Sequence, residues 1–299
     1  VFCPLPVKIP VEILKEIENA PVRMSVMVDV SLEGMKPHDS DSVKGRAKEL
    51  WRYADSGLVN IVGGGKETTP ESLKFMVKAL KGSRPRRIPA RRYNMLLSGL
   101  APMTVAGAGN CICVGNVFNR EESPEFAKIF GEGNLADAVA LGHRQVTYGA
   151  EILDVNLDSY DTEPPQIQAF MGKMLDDKSL AKCPVMMDSR SWDLLIAGIE
   201  CISGKGIARS ISLAEGEEIF LTKAMEIRKR GFALVCFAED EKGTADTFAR
   251  ETEIIERMYR LLVGKLNFLA EDIVFEPCVE HEGKPLEDAM NLLFKVCRY

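Results

Sequence analysis

With 299 residues the chain can bury a sizeable core, in one large or two small domains. A hydrophobic share of 46% and a charged share of 27% are ordinary for a globular protein, and a net charge of −6 argues against general nucleic-acid binding. No apolar run reaches the roughly 18 residues that span a bilayer, so direct membrane insertion is not expected.

The first 82 residues read as a fragment of a β/α protein. Val11–Ile17 predicts a helix with Ile13, Leu14 and Ile17 on one side, and Arg23–Val28 a strand. Ser42–Tyr53 follows as an amphipathic helix, Gly57–Val62 as a short buried strand, and Pro70–Leu80 as a helix. In the last of these, proline takes the first helical position after the capping residue Thr69. Two β/α units and a helix are too few to close a barrel of eight.

Residues 83–110 predict a linker. Arg84, Arg86, Arg87, Arg91 and Arg92 alternate with Pro85 and Pro89; the prolines oppose a helix and the like charges extend the chain. The plainer reading is a solvated linker. The sharper one is a basic strap that docks on the acidic surface of another protein chain. Ala106-Gly107-Ala108-Gly109 is too glycine-rich for regular structure and has no helix placed to cradle a phosphate.

From Cys111 onward strand and helix patterns alternate regularly. Strands are predicted at Cys111–Gly115, Ile152–Val155, Val185–Met187, Ile207–Ser210, Ala233–Phe237 and Ile273–Phe275. Helical patterns follow at about 134–148, 164–176, 191–202, 216–230, 247–264 and 285–297. Six such units from residue 111 to 299 predict an incomplete β/α barrel of the TIM type, with an open doubly wound sheet as the alternative.

The eight cysteines form no C-x-x-C pair, and several sit in apolar runs. That pattern predicts buried, reduced thiols and an intracellular, reducing compartment. Cys111 and Cys113 share one face of a predicted strand and read as core. Cys278 and His281 have a loose ligand spacing with no second pair nearby. No Ser/His/Asp or Cys/His arrangement is legible around His38, His143 or His281.

In a β/α barrel the active site lies at the carboxyl ends of the strands. Those positions hold Asn116, Asn119, Asp154, Asn156, Asp158, Asp188, Arg209, Ser210, Glu239, Asp240 and Glu276. Helix capping accounts for Ser189 and Ser191, but poorly for Asp154, an acid inside an apolar strand.

Several motifs carry a family resemblance. Gly57–Pro70, with its paired Gly63 and Gly64, resembles the end of the homocysteine-binding barrel of cobalamin-dependent methionine synthase. Asn94–Leu100 is similar to that family's interdomain segment, and Tyr148–Asn156 to the second strand of its pterin-binding barrel. Met187-Asp188-Ser189 and Ser210–Leu213 are similar to the third and fourth strand ends; Asp240 and Phe275-Glu276-Pro277 also fit. The resemblance implies a remnant of the homocysteine barrel over residues 1–82 and a truncated pterin-binding barrel over 111–299. It implies a folate site at Asn119, Asp154, Asn156, Asp188, Arg209 and Glu276.

The departures from that family are specific. The two zinc-binding cysteines are replaced by Gly65 and Lys66, which offer no soft donor, so no metal is expected there. The Gly-Glu-Arg-x-Asn opening of the folate barrel is Gly115-Asn116-Val117-Phe118-Asn119, which keeps only its first and last residues. Arg209 stands where the family has a pterin-binding asparagine, and Glu276 where it has an aspartate. A guanidinium among acids should pair with Asp188, Glu276 or both, and would fill the space a pterin needs. The expected protein is a member without catalysis or cofactor, serving as a structural subunit in an assembly with other protein chains. The alternative is a folate-binding subunit that passes a methyl group from methyltetrahydrofolate to a cobalamin.

Overall fold

The computed structural model describes residues 2–4, 25–28, 51–64, 69–87, 94–105, 111–159 and 161–277. The chain divides into two compact units, Val1–Arg92 and Tyr93–Tyr299.

In the first unit, β1 (Phe2–Pro4), β2 (Ser25–Val28) and β3 (Ile61–Gly64) form a parallel sheet in that order. The strand expected from Gly57 begins only at Ile61. Helical residues 51–55 end in a turn where Gly57 takes φ 69°, and the amides of Ser56, Gly57 and Leu58 close back on Arg52, Ala54 and Tyr53. Gly57 is therefore a helix terminator and not strand. Helix α1 (Pro70–Ala79) forms as its sequence predicts. The helix expected at Val11–Ile17 lies outside the described residues, as do Gly65 and Lys66.

The second unit holds six parallel strands: β6 (Val114–Asn119), β7 (Ile152–Asn156), β8 (Val185–Asp188), β9 (Ile207–Ile211), β10 (Ala233–Phe237) and β13 (Ile273–Glu276). Their spatial order is their sequence order. A doubly wound sheet reverses direction at a switch point, and this one does not, which excludes the open alternative. Consecutive right-handed crossovers place their helices on one face, as in a barrel. Among the described residues the barrel is incomplete, with β6 and β13 as its outer strands.

The strand period of two sorts the side chains. Leu153, Val155, Met187, Ala208, Leu234 and Cys236 point outward and pack under the helices. These are α2 (Pro124–Gly131), α3 (Leu135–Thr147), α4 (Pro164–Asp176), α5 (Trp192–Cys201), α6 (Glu217–Lys229) and α7 (Phe248–Tyr259). Phe118, Phe126, Phe130 and Phe170 form a ring cluster there, with centroids 5.2–5.8 Å apart. A short ribbon, β11 (Glu239–Asp240) with β12 (Gly243–Thr244), follows β10.

The inner face is filled at its lower end by an element the sequence hid. Residues 94–105, expected as linker, contain the antiparallel hairpin β4 (Met95–Ser98) and β5 (Pro102–Val105). Met95 and Leu97 pack with Ile152, Ile207, Ala233 and Val235. The hairpin is tied to the loops below the strands: Ser98 N–H donates to Lys205 O at 2.9 Å, and Leu100 N–H to Ala181 O at 2.7 Å. Gly204 lies so close that a Cβ there would collide with the carbonyl of Ser98. Gly204→Ala should therefore lift the hairpin and destabilise the second unit by about 1–3 kcal/mol. A urea titration reads this, and an unchanged midpoint would mean the hairpin is not part of the core.

Other expectations are corrected. Arg86 is 4% exposed, with its N–H bonded to Val59 O, so it belongs to the first unit's interior and not to a solvated strap. Arg84 and Arg87 are exposed. The first barrel strand starts at Val114, and Cys111 and Cys113 precede it as exposed residues, not core. Helix α2 was not predicted, although Ser123 and Pro124 supply its cap and first turn. Ser191 stands at the start of α5 without a side-chain capping bond.

Candidate functional site

Above the hairpin the inner face turns polar, because the last inward positions of successive strands are polar. Register places Asn119, Asn156, Asp188 and Arg209 side by side across β6, β7, β8 and β9. Glu276 ends β13, beyond Phe237 of β10. Asp154 lies one inward position below Asn156 and is 2% exposed.

Arg209 organises this row. Its Nε donates to Glu276 Oε2 at 3.0 Å and its Nη2 to Glu276 Oε1 at 2.5 Å, a two-pronged pair across the intervening strand β10. Its Nη1 donates to Asp188 Oδ2 at 3.1 Å. The pairing expected for Arg209 is thus made with both acids. The extra methylene of Glu276, relative to aspartate, extends its carboxylate toward the guanidinium. These bonds, Glu276's first among them, hold the Arg209 pKa above its ordinary value.

The remaining groups are bound among themselves. Asn156 donates through Nδ2 to Asp188 Oδ2 at 3.0 Å and accepts the Asp158 N–H at 2.9 Å. Asn119 Oδ1 accepts the N–H groups of Glu121 and Glu122, which makes it the anchor of its own turn. Burial raises the Asp188 pKa despite Arg209 and Asn156. Asp154 stands apart, since its Oδ1 is buried without a hydrogen-bond partner. Burial first, and the nearby Asp188 second, push its pKa up to about 7.

Other residues of the expected strand-end ring serve the scaffold. Asp240 pairs with Arg250 at 2.6 Å, and Asn116 donates to Glu122 at 2.6 Å. Asp158 accepts the Ser189 hydroxyl at 2.5 Å and the Arg190 N–H at 2.8 Å. Gly115 leaves room for Gln145, whose Oε1 accepts the Val117 N–H at 3.1 Å.

One grouping was invisible in the sequence. His143 lies 3.0 Å from Ser179 Oγ and 3.1 Å from Asp177 Oδ2. The serine donates its proton to Asp177 Oδ1 at 2.6 Å, and that oxygen also accepts the N–H groups of Ser179 and Leu180. A hydroxyl held by the carboxylate is not activated by the imidazole, and the cluster caps the short 3-10 turn Leu180–Lys182. Among the described residues no group of three or more His, Cys, Asp or Glu could hold a metal ion. No described helix is long and apolar enough to cross a membrane.

The model of the family described as pterin binding enzyme matches residues 115–298, more than half of the chain. The chain belongs to the pterin-binding enzyme family. Its parallel β/α sheet is the fold that this membership implies. Among solved structures, dihydropteroate synthase of Xanthomonas albilineans with 4-aminobenzoic acid is 15% identical, with a TM-score of 0.48 over 68% of this chain and 73% of that one. The Vibrio fischeri 7,8-dihydropteroate synthase is 13% identical, with a TM-score of 0.45 over 68% and 74%. Plasmodium falciparum HPPK-DHPS is 14% identical, with a TM-score of 0.46 over 75% and 41%. Likeness at this level carries nothing about ligand or activity.

Proposed function

We propose that this chain is a methionine-synthase-like member of the pterin-binding family that has lost catalysis and serves as a structural subunit within a larger protein assembly. The observation that carries the reading is Arg209, which spans the strand ends and bonds both Glu276 and Asp188. A pterin has to meet acceptors at this mouth, and the two carboxylates are already taken by an internal cation that is always charged. Asn119, a further position implied by the resemblance, spends its carbonyl on its own turn. The replaced zinc positions, Gly65 and Lys66, point the same way. The residues present do not fit a bound folate while the Arg209 bridge stands.

The alternative is a folate-binding methyltransferase subunit that moves a methyl group from methyltetrahydrofolate to a cobalamin. One observation favours it: Asp154 keeps a buried oxygen without a partner, which a ligand donor could satisfy. Calorimetry with methyltetrahydrofolate separates the two. The expected result is no binding to the wild-type protein at millimolar ligand. Tight binding that Asp188→Ala abolishes would establish the alternative and end the structural-subunit reading.

A further inference from the structure

The bridge at the strand ends is built around a carboxyl group that it does not satisfy. Arg209 supplies one positive charge, shared by Asp188 on β8 and Glu276 on β13. Asp154 lies on β7, on the same inward face, one position below the Asn156–Asp188 bond, with one oxygen unpartnered. The charged groups acting on it are Asp188 from β8, Arg209 from β9, Glu276 from β13 and Glu122 from the turn after β6. Asp158, from the loop after β7, acts on Asp188 in turn. Phe237, the corresponding residue of β10, brings no charge.

With Asp154 protonated, one cation faces two carboxylates and the pattern of bonds is stable. With Asp154 ionised, three carboxylates compete for the same cation, and the newly charged one is the most buried of them. The weakest claimant is Glu276, because β13 is an outer strand held on one side only by β10 among the described residues, and its side chain is the most exposed of the three.

We propose that Asp154 is the trigger of a pH-sensitive latch: when it ionises, Arg209 turns inward and releases Glu276, and the outer strand β13 loosens at its carboxyl end. The latch does not depend on whether a pterin binds, since every member of it belongs to the chain. Burial of Asp154 sets the working range near neutrality, where its carboxyl titrates at about 7.

Hydrogen exchange of Ile273–Glu276, corrected for intrinsic rates, tests the latch between pH 6 and 8.5. One linked proton changes an opening equilibrium by at most about tenfold per pH unit. The expected result is a loss of protection of about tenfold in the wild-type protein across this range, against flat protection in Asp154→Asn. Flat protection in the wild type, or the same slope in Asp154→Asn, overturns the proposal. Should Asp154→Asn fail to fold, Glu276→Gln decides: its β13 should already exchange at pH 6 as fast as wild type at pH 8.5. Retained protection with a retained slope in Glu276→Gln also overturns it.

Discussion

Asp154→Asn should make this protein more stable at pH 8 and change it little at pH 4. Burial and the neighbouring Asp188 raise the Asp154 pKa from 3.8 to about 7. The sign follows from which state holds the proton. Below pH 4 the carboxyl is protonated in both folded and unfolded chains, and the folded state bears no penalty. Between pH 4 and 7 the unfolded chain loses this proton and the folded chain keeps it, so stability falls as pH rises. Above pH 7 the folded chain carries the full penalty of a buried charge, about 4 kcal/mol on this shift. Asparagine has no charge to desolvate, though its NH2 group also leaves water, which offsets about 1–2 kcal/mol. The net gain at pH 8 is then about 2–3 kcal/mol. Urea titrations of both proteins at pH 4, 6 and 8 measure it. A variant less stable than wild type at pH 8 would show that an unseen partner stabilises the charged form of Asp154.

Removing the cation has the opposite effect. Arg209→Ala leaves Asp188, Glu276 and Asp154 together with no positive charge among them. Breaking a fully buried ion pair typically costs about 3–5 kcal/mol. Arg209 is 31% and Glu276 29% exposed, and water screens part of the repulsion, so about 2–3 kcal/mol is expected at pH 7. The loss should shrink toward pH 4, where the carboxylates take up protons and no longer repel. Arg209→Met tests the source of the loss, since it keeps most of the volume without the charge and should be nearly as damaging. If Arg209→Ala unfolds at the same urea concentration as wild type at pH 7, the bridge is a solvent-screened contact that neither closes the mouth nor holds β13.

How much of the site was legible follows from these two residues. Arg209 was conspicuous because an arginine inside an apolar strand must find a partner, and the β/α pattern puts Asp188 and Glu276 within a strand or two of it. Its partners are those two, and the register explains how: Arg209 sits directly beside Asp188, and Glu276 lies two strands away across β10. Asp154 was recognisable as an acid that capping did not explain, but its orphaned oxygen was not. That depends on what Asn156, Asp188 and Arg209 do with their own hydrogen bonds. The cluster of Ser179, His143 and Asp177 shows the same limit from the other side, since 36 residues separate the histidine from the serine.

The sequence by itself determined the strand–helix alternation from β7 to β10, because local periodicity and strand-end polarity suffice for elements that repeat one pattern. It also determined that Gly65 and Lys66 offer a metal no soft donor, since ligand chemistry is a property of residue type. Only the tertiary structure decided that Met95–Val105 is a core element and not a linker. The hairpin is short, carries exposed Leu96 and Leu100, and gains its place only by meeting Ile152, Ile207 and Val235 from distant strands. Likewise only the tertiary structure decided that Arg86 is interior while its neighbours Arg84 and Arg87 are not. Composition and charge describe a segment on average, whereas burial is set residue by residue by what the rest of the chain brings against it.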